Sequence, residues 1–470
     1  MALDDGTTHL TYHALDAATD RFARCLLGRG LRTGDRIGLA LPKSTGQVVA
    51  LLGALRAGIA VVPLDAAAAV PYVTDVIART RPALILGDHP ARHATPAVTW
   101  LPALADDAPE SGLAAMGADQ PVPAATEAIV LFTSGSTGRP KAVAHTHRTV
   151  LAGVQALRQA WGITASDRLL HILPMTHAHG LIIALMPLLI AGGRLDLRPR
   201  FDPADVVRRL PMATCFMGVP IHYAQLLDHP GFNAGAASGI RLFTSGSAPL
   251  PDDLRRSVEA RTHKPLLERY GMTETLITTA NAPDAFRPGS VGRVLPGADL
   301  RIRDLETGEL VAPGGEGEVE VRGDFVFDGY QDDPSETALA FGPDGFFRTG
   351  DVGQLDAESF LTLSGRSKDV VIYAGLKIHP AEVEAALRQV EGVADACAFG
   401  IPHPRTGMSL LAAIVPKPGV ALDPATVRLA LVAALAPTKI PKRIHLVDAL
   451  PRNAMGKLRR DVLRARFAAD

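Results

Sequence analysis

One short segment of the sequence has the composition of an anion-binding loop. Residues 133–141 read Thr-Ser-Gly-Ser-Thr-Gly-Arg-Pro-Lys, with four hydroxyl side chains, two glycines and a lysine. Glycine lets backbone N–H groups approach an anion closely, hydroxyl groups donate further hydrogen bonds, and lysine adds a positive charge. The lysine spacing differs from that of the P-loop of kinases and GTPases. The segment therefore predicts a phosphate site formed by Thr133, Ser134, Gly135, Ser136, Thr137, Gly138 and Lys141.

The elements that must position this loop are strands and helices in alternation. Residues 128–132, directly before the loop, are all apolar, which is typical of a buried strand. Over the first 350 residues, strand patterns at 36–41, 59–63 and 83–86 alternate with helix patterns at 47–57 and 72–80. Such alternation predicts an α/β fold in which helices cover parallel-rich sheets.

A second, smaller domain is expected at the carboxyl terminus. Beyond about residue 367 the pattern becomes strand, helix, two strands, helix, strand, which predicts a compact α+β unit of about 100 residues. We therefore expect a large domain over 1–366 and a small domain over 367–470. Residues 367–470 hold 15 Lys and Arg against 9 Asp and Glu. This positive charge fits either a solvated surface or a domain that covers phosphate groups.

Composition excludes several classes of function. The chain of 470 residues is 47% hydrophobic and 21% charged with a net charge of -1, so we expect no nucleic-acid or membrane partner. The three cysteines are far apart and indicate core thiols in a reducing compartment. No secretory signal is visible, and the longest apolar stretch, 181–191, contains Pro187 and is too short to span a bilayer. We expect a cytoplasmic protein.

Four further segments extend the phosphate-loop signal. They are Glu-Arg-Tyr-Gly-Met-Thr-Glu-Thr at 268–275, Phe-Thr-Ser-Gly-Ser-Ala-Pro-Leu at 243–250, Phe-Phe-Arg-Thr-Gly-Asp at 346–351 and Pro-Arg-Asn-Ala-Met-Gly-Lys at 451–457. Together with the loop, they resemble the adenylate-forming superfamily of acyl-CoA synthetases, luciferases and the adenylation domains of peptide synthetases. The resemblance runs from residue 10 nearly to the carboxyl terminus. It implies an ATP-dependent enzyme that attaches AMP to a carboxylate and releases pyrophosphate.

The resemblance also implies roles for individual residues. Lys457 would be the adenylation lysine, Thr273 would contact the α-phosphate, and Glu274 would hold Mg²⁺. The remaining nucleotide contacts would come from the segments that carry Gly246, Ser247, Ala248, Arg269, Tyr270 and Gly271, and from Asp351 and Arg366 at the ribose. Position 368, where the family places its inter-domain hinge, is a lysine here, and the resemblance implies that the small domain over 367–470 is mobile.

The acyl group and its acceptor are the least determined part of the prediction. Ala374, Gly375 and Lys377 match the loop that lines the thiol tunnel, which implies coenzyme A as acceptor. His177 lies at the family's gate position and Met272 beside the substrate. Among relatives, Arg241 and Arg287 look most like the malonyl-CoA synthetases, in which arginines hold the second carboxylate of the substrate.

Alternatives remain open from the sequence. Many relatives with arginine at these positions take uncharged acids, so a medium acyl or aryl acid competes with a small dicarboxylate. The acceptor could be an acyl carrier protein or a nitrogen nucleophile instead of coenzyme A. A nucleotide-binding protein without catalysis is a third possibility, although Lys141, Glu274 and Lys457 are all present. An amino-acid substrate is disfavoured, because residues 215–220 offer no acid for an α-amine.

Overall fold

The structure, a computed structural model, describes residues 1–102, 121–133, 140–374, 376–452 and 458–468. Its contacts divide the chain into two compact units. The first comprises residues 1–299 and 321–347, and the second comprises residues 300–320 and 348–470. Within the described ranges, no helix is long and apolar enough to cross a membrane.

The strands, in chain order, are β1 (Leu3–Asp4), β2 (His9–Leu10), β3 (Arg36–Ala40), β4 (Ala60–Pro63), β5 (Leu84–Gly87), β6 (Thr99–Leu101), β7 (Glu127–Thr133), β8 (Lys141–Thr146), β9 (Arg168–His171), β10 (Arg194–Leu197), β11 (Cys215–Gly218), β12 (Leu242–Ser245), β13 (Leu266–Tyr270), β14 (Thr279–Ala280), β15 (Arg293–Val294), β16 (Ala298–Arg303), β17 (Glu316–Gly323), β18 (Phe347–Leu355), β19 (Leu361–Arg366), β20 (Val371–Tyr373), β21 (Leu376–Ile378), β22 (Val393–His403), β23 (Gly407–Pro416) and β24 (Arg443–Leu446).

The α-helices are α1 (Tyr12–Gly28), α2 (Thr45–Arg56), α3 (Val70–Thr80), α4 (His147–Ala160), α5 (Leu185–Ile190), α6 (Pro203–Arg209), α7 (Pro220–Leu227), α8 (Asp252–Thr262), α9 (Pro334–Ala340), α10 (Pro380–Gln389), α11 (Pro424–Ala430) and α12 (Arg460–Arg466). A π-helix, His179–Ala184, runs directly into α5. The predicted strands and helices of the first domain therefore form within one or two residues of the predicted bounds.

Two sheets build the first unit. One has six strands in the order β6-β5-β3-β4-β7-β8, parallel except for the final β7–β8 pair. The other has nine strands in the order β15-β14-β13-β12-β11-β9-β10-β1-β2, and its central strands are parallel. Because the carboxyl ends of parallel strands meet at one edge, the segments that follow β9, β11, β12 and β13 lie close together.

An aromatic core holds the middle of the nine-stranded sheet. The rings of Phe216 on β11 and Phe243 on β12 meet edge to face, with centroids 6.0 Å apart. The hydroxyl group of the fully buried Tyr223, on α7, donates a 2.6 Å hydrogen bond to the backbone oxygen of Thr244. This contact ties α7 to β12 and so fixes the strand whose end leads into residues 246–248.

The second unit contains a four-stranded sheet, β16-β17-β18-β19, and a five-stranded sheet in which β21-β20-β23-β22 is joined by β24. Buried side chains such as Val383, Leu387 and Ile414 form the core between the five-stranded sheet and its helices. The expected fold class, a large α/β domain with a small α+β domain, is confirmed. The contacts assign 300–320 and 348–366 to the second unit, which differs from the boundary at 367; that boundary, chosen for the hinge, stays a prediction.

Candidate active site

The predicted phosphate loop joins two neighbouring antiparallel strands. Thr133, the last residue of β7, is paired directly with Lys141, the first residue of β8. Residues 134–139, which include the predicted Ser134, Gly135, Ser136, Thr137 and Gly138, lie outside the described residues. The two ends of the loop are therefore fixed across one strand pair at the end of a buried sheet.

Lys141 is held by two groups of the first unit. Its Nζ lies 2.5 Å from Oε2 of Glu336, which belongs to the first turn of α9. The same Nζ lies 4.5 Å from the centroid of the Tyr330 ring, within the range of a cation–π contact. The positive charge predicted for phosphate is thus balanced internally by one carboxylate and one aromatic face.

Strand β8 connects this lysine to the Thr273–Glu274 segment. Side chains an even number of residues apart share a face of a strand, so Lys141 and His145, four residues apart, point to the same side. His145 is completely buried, and its Nε2 lies 2.6 Å from the backbone oxygen of Thr273. Burial lowers the pKa of His145 to about 4, so the ring is neutral at pH 7. Because a carbonyl oxygen accepts only, Nε2 carries the proton and Nδ1 accepts from the hydroxyl group of Thr149.

Glu274 presents a buried carboxylate beside the same lysine. Glu274 is 4% exposed, and its Oε1 accepts a 3.0 Å hydrogen bond from the hydroxyl group of Tyr330. The backbone oxygen of Glu274 accepts from the N–H of Phe327, which fixes the segment on its other side. Burial, and next the negative charge of Glu274, raises the pKa of Tyr330, so its hydroxyl group remains a donor. The structure therefore brings the predicted Lys141, Thr273 and Glu274 into one neighbourhood.

The turn after β13 requires a glycine. A Cβ atom on Gly271 would lie 2.0 Å from the backbone oxygen of Leu276, so no side chain fits there. The backbone oxygen of Tyr270, whose residue is 8% exposed, accepts from the N–H of Thr278. The N–H of Met272 donates to the hydroxyl group of Thr275 at 3.3 Å. This tight packing explains why the Tyr-Gly-Met-Thr-Glu run has so little freedom.

A buried cation lies where β12 and β13 end. Arg269 is 5% exposed, and a Cβ atom on Gly246 would lie 2.4 Å from its Cζ, so the guanidinium packs against bare backbone. Burial lowers the pKa of Arg269 to about 9, so the side chain is still charged at pH 7. Its Nε and Nη2 have no hydrogen-bond partner among the described residues. A buried cation with two unused donors is a site for an anion.

Ser247, directly after Gly246, adds a hydroxyl group near the buried Arg269. Ser247 has a φ of 66°, a left-handed conformation that is uncommon for residues other than glycine. Its hydroxyl oxygen lies 3.1 Å from Nδ1 of His179. Burial, and next the charge of Arg269, keeps the pKa of His179 well below its ordinary value, so this ring is neutral. Ala248 follows, half-buried. Arg269, Ser247 and His179 thus form one buried polar cluster.

The histidine in this cluster is His179, which the sequence pattern did not single out, and the gate role predicted for His177 stays a prediction. His177 is half-buried, and its backbone oxygen accepts from the N–H of Leu181, whereas His179 is 4% exposed and contacts Ser247. Residues 179–184 form a π-helix, a rare element that often occurs at functional sites. His179 is the first residue of this π-helix and His177 lies two residues before it, and the sequence contains no signal for the wide turn.

Arg241 does not lie at the site, so its predicted substrate role is corrected. It precedes the four-residue strand β12, whereas Gly246 follows it, and the five residue steps between them span about 16 Å of extended chain. Its Nε and Nη2 bind both carboxylate oxygens of Asp167, at 2.7 and 2.5 Å, and its remaining donors bind the backbone oxygens of Trp161 and Gly162. Asp167 is almost completely buried and needs this charge. Arg241 is therefore a structural partner of Asp167.

Arg287 lies in the loop between β14 and β15 and is half-buried. The side-chain oxygen of the fully buried Asn281 accepts from the N–H of Arg287 at 3.0 Å. The amide nitrogen of Asn281 also donates to the backbone oxygen of Ser290, so one side chain anchors both sides of the loop. A role of Arg287 with substrate stays a prediction.

In the second unit, Asp351 and Arg366 occupy paired positions on β18 and β19. Arg366 Nε lies 2.9 Å from Oδ1 of Asp351, whose residue is 5% exposed. The Asp351 N–H donates to the hydroxyl group of Thr349 at 3.0 Å. The two residues predicted for the ribose thus come together, although their role stays a prediction.

Of the residues predicted for the thiol tunnel, Gly375 lies outside the described residues. Ala374 has a φ of 49° and Lys377 pairs with Glu306 at 2.9 Å. Lys457 also lies outside the described ranges, and residues 453–457 are not discussed further as structure. In the part of the chain that the structure does describe, no group of three or more His, Cys, Asp or Glu side chains could hold a metal ion by itself.

The chain is similar to several known ligases over most of its length. A (methyl-dioxo-octahydroindenyl)propanoyl:CoA ligase from Rhodococcus jostii is 31% identical, over 98% of this chain and 95% of its own length. A mitochondrial malonate–CoA ligase from Mus musculus is 34% identical over 72% of this chain and 64% of its own length. The ATP-bound crystal structure of MatB from Rhodopseudomonas palustris superposes with a TM-score of 0.92 at 36% identity, over 99% of this chain and 95% of that one.

Two protein-family models also match the chain, one over each part of it. The model described as AMP-binding enzyme matches residues 1–331, and the model described as AMP-binding enzyme C-terminal domain matches residues 382–457. These matches cover the phosphate loop, the turn after β13 and the segment that contains Lys457. The chain therefore belongs to the AMP-binding enzyme family and is a relative of AMP-forming acid–thiol ligases.

Proposed function

We propose that this enzyme is an ATP-dependent carboxylate ligase that forms an acyl-adenylate and then an acyl-CoA thioester. The observation that carries the proposal is the joining of Lys141, Thr273 and Glu274 through the neutral His145 and Tyr330, directly after the phosphate loop. A cation, a hydroxyl group and a buried carboxylate in one place suit a triphosphate with its divalent ion.

In the first step, a carboxylate oxygen of the acid attacks the α-phosphorus of ATP. A new P–O bond forms, the bond from the α-phosphorus to the bridging oxygen breaks, and pyrophosphate leaves with that electron pair. No general base is needed, because carboxylic acids are ionised at pH 7. In the second step, the sulfur of coenzyme A forms a bond to the acyl carbon and the thiol proton passes to water. The bond from the acyl carbon to the phosphate oxygen breaks, and AMP leaves with that electron pair.

The protein's part in the first step is positioning and charge stabilisation. The loop from Thr133 to Lys141 would bind the β- and γ-phosphates, and Thr273 would donate to the α-phosphate. Lys457 would approach the α-phosphate and stabilise the charge that grows there. Asp351 and Arg366 would bind the ribose hydroxyl groups, and the segments with Gly246, Ala248 and Tyr270 would line the adenine.

The residues of the first unit fit a magnesium ion that is shared with a nucleotide. Glu274 is buried and acceptor-only, and one of its oxygens is already oriented by Tyr330. Magnesium is held in nucleotide enzymes by one or two carboxylates together with phosphate oxygens and water, which one such residue satisfies. When bound, the ion supplies positive charge that neutralises the phosphates. Glu274 is the residue that would hold it.

Among possible acids, we favour a small dicarboxylate such as malonate. A second carboxylate taken out of water needs a cation, and Arg269 is buried, charged and has two unused donors among the described residues. Ser247 and the neutral His179 offer further hydrogen bonds beside it. This assignment gives Arg269 and Ser247 to the acid instead of the nucleotide contacts predicted for them. It also replaces Arg241, whose side chain is engaged by Asp167 and by backbone oxygens. An uncharged acid is the alternative, and the relative from R. jostii acts on a bulky ring-containing acid.

Pyrophosphate release tests both levels of the proposal. The purified protein would be assayed with ATP and Mg²⁺ over malonate, methylmalonate, propionate and benzoate, each with and without coenzyme A. We expect release with malonate that depends on coenzyme A. Preference for propionate or benzoate would contradict the dicarboxylate but keep the ligase. Release that ignores coenzyme A would indicate a carrier-protein or nitrogen acceptor, and no release over a wide panel would overturn the ligase.

A further inference from the structure

Tyr330 contacts two residues to which the proposed function gives different tasks. Its hydroxyl group donates a 3.0 Å hydrogen bond to Oε1 of Glu274, the proposed magnesium ligand. Its ring lies 4.5 Å from Nζ of Lys141, the proposed phosphate contact. Nothing in the sequence pattern singled out this tyrosine. Its hydroxyl group therefore contacts the proposed magnesium ligand, and its ring contacts the proposed phosphate-binding lysine.

The backbone of Tyr330 is fixed to the strand that carries Lys141. Tyr330 forms an isolated antiparallel bridge with Val143 of β8, and the N–H of Gln331 donates to the backbone oxygen of Ala142 at 3.0 Å. The N–H of Tyr330 donates to the hydroxyl group of Thr337 at 2.9 Å. Lys141 and Tyr330 are thus held in register by backbone hydrogen bonds, two residues apart across the bridge.

The side chain of Tyr330 is fixed as well. Its ring meets that of Phe327 edge to face, with centroids 4.9 Å apart, and Phe327 also donates its N–H to the backbone oxygen of Glu274. A tyrosine hydroxyl group is protonated at neutral pH. It therefore donates to the carboxylate of Glu274, while the ring lies in contact with Nζ of Lys141.

From this arrangement we propose that Tyr330 is a positioning residue that aligns Glu274 through its hydroxyl group and Lys141 through its ring. The inference rests on the proposed function, because it requires ATP and a divalent ion as ligands. The two tasks are carried by different parts of one side chain, so different substitutions separate them. Phenylalanine removes only the hydroxyl group, whereas leucine removes both the hydroxyl group and the aromatic face.

Binding measurements on Tyr330→Phe and Tyr330→Leu test the inference without turnover. Calorimetry with EDTA gives the affinity for metal-free ATP, and the free Mn²⁺ signal in electron paramagnetic resonance gives the affinity of the ATP complex for Mn²⁺. For Tyr330→Phe we expect metal-free ATP affinity within 2-fold of wild type and Mn²⁺ affinity weakened about 3- to 10-fold. For Tyr330→Leu we expect the same loss for Mn²⁺ and, in addition, ATP affinity weakened about 2- to 5-fold.

Tyr72→Phe is the matched control, because this tyrosine of α3 is 40% exposed and lies outside the proposed site. It should leave both affinities unchanged. Unaltered Mn²⁺ affinity in Tyr330→Phe, or equal loss of ATP affinity in both Tyr330 variants, would overturn the inference. Failure of the wild-type protein to bind ATP would overturn the proposed function and this inference together, which separates the two failures. Thermal unfolding midpoints of all variants show that the folded protein is being compared.

Discussion

His145 Nε2 lies 2.6 Å from the backbone oxygen of Thr273, and this bond joins the strand after the phosphate loop to the segment that carries Glu274. The two residues are 128 positions apart in the chain. Only a neutral ring with its proton on Nε2 makes this contact while Nδ1 accepts from Thr149. A buried histidine that never needs to ionise thus serves as a fixed connector inside the site.

The first prediction follows from the pKa of this histidine and concerns stability against pH. The pKa of His145 is about 4 in the folded protein against 6.5 in an unfolded chain, so the unfolded chain binds more protons between these values. The contribution of the neutral His145 to the free energy of unfolding is then fully present above pH 6.5. It is lost as the pH drops toward 4, by up to about 1.4 kcal/mol per pH unit for one histidine. Burial lowers the pKa values of His171 and His222, to about 3 and about 4, which adds to the same slope.

Urea unfolding at pH 7, 6 and 5 measures that slope. His145→Gln retains an N–H donor for the Thr273 oxygen and has no titrating group, so its free energy of unfolding should depend less steeply on pH. A mutant whose slope equals that of wild type would contradict the assignment of a neutral His145.

The second prediction separates two arginines. Arg269→Met should lower kcat/KM for malonate by about 100-fold or more, because a buried carboxylate loses its cation. The kcat/KM for propionate should change far less, since propionate has no second carboxylate. The measurement is the ratio of kcat/KM for malonate to kcat/KM for propionate. An equal loss for both acids would indicate that Arg269 binds the nucleotide or stabilises the fold.

Arg241→Gln provides the comparison for that experiment. It leaves the buried Asp167 without its cation, so we expect the free energy of unfolding to fall by about 1–3 kcal/mol. Activity per folded molecule should stay at the wild-type value, and so should the ratio of kcat/KM for malonate to kcat/KM for propionate. A changed ratio would support the original prediction that Arg241 contacts the substrate.

The third prediction concerns Glu336, which pairs with Lys141. A phosphate that binds Lys141 must compete with this carboxylate, so Glu336→Gln should tighten ATP binding about 2- to 5-fold, as expected for a partly exposed ion pair. Asp299→Asn, which also removes one negative charge from an exposed ion pair of the first unit, should have no effect. The gain should vanish in a Lys141→Gln background, and a gain that persists there would show that Glu336 acts only through general charge.

The fourth prediction tests the proposed adenylation lysine. Lys457→Ala should abolish pyrophosphate release and leave the equilibrium affinity for ATP within a few-fold of wild type, because the phosphate loop and Glu274 are intact. Single-turnover measurement with malonate distinguishes this from slow product release. Unchanged turnover would remove Lys457 from the first step.

Local sequence patterns predicted the strands and turns that surround the contiguous candidate segments. The phosphate loop follows a strand that forms almost where its apolar run predicts, and the Glu-Arg-Tyr-Gly-Met-Thr-Glu-Thr segment contains a glycine that the packing requires. The pairing of Asp351 with Arg366 also agrees with their shared predicted role.

Prediction was limited where the answer depends on the position of a residue along its strand. Arg241 precedes β12, whereas Arg269 lies near the carboxyl end of β13. The π-helix that begins at His179 has no local sequence signal either. Tyr330 and Glu336 reach the site through tertiary contacts with β8, which no local pattern encodes.

The π-helix at residues 179–184 has a consequence for how the proposed acid site can change in evolution. A π turn arises when one residue is inserted into an α-helix, so deleting one residue from it restores ordinary winding. Each residue of an α-helix turns the chain by about 100°, and such a deletion would rotate His179 away from Ser247 and Arg269. Selectivity for the acid is therefore open to change through the length of this segment, with every side chain around it left as it is.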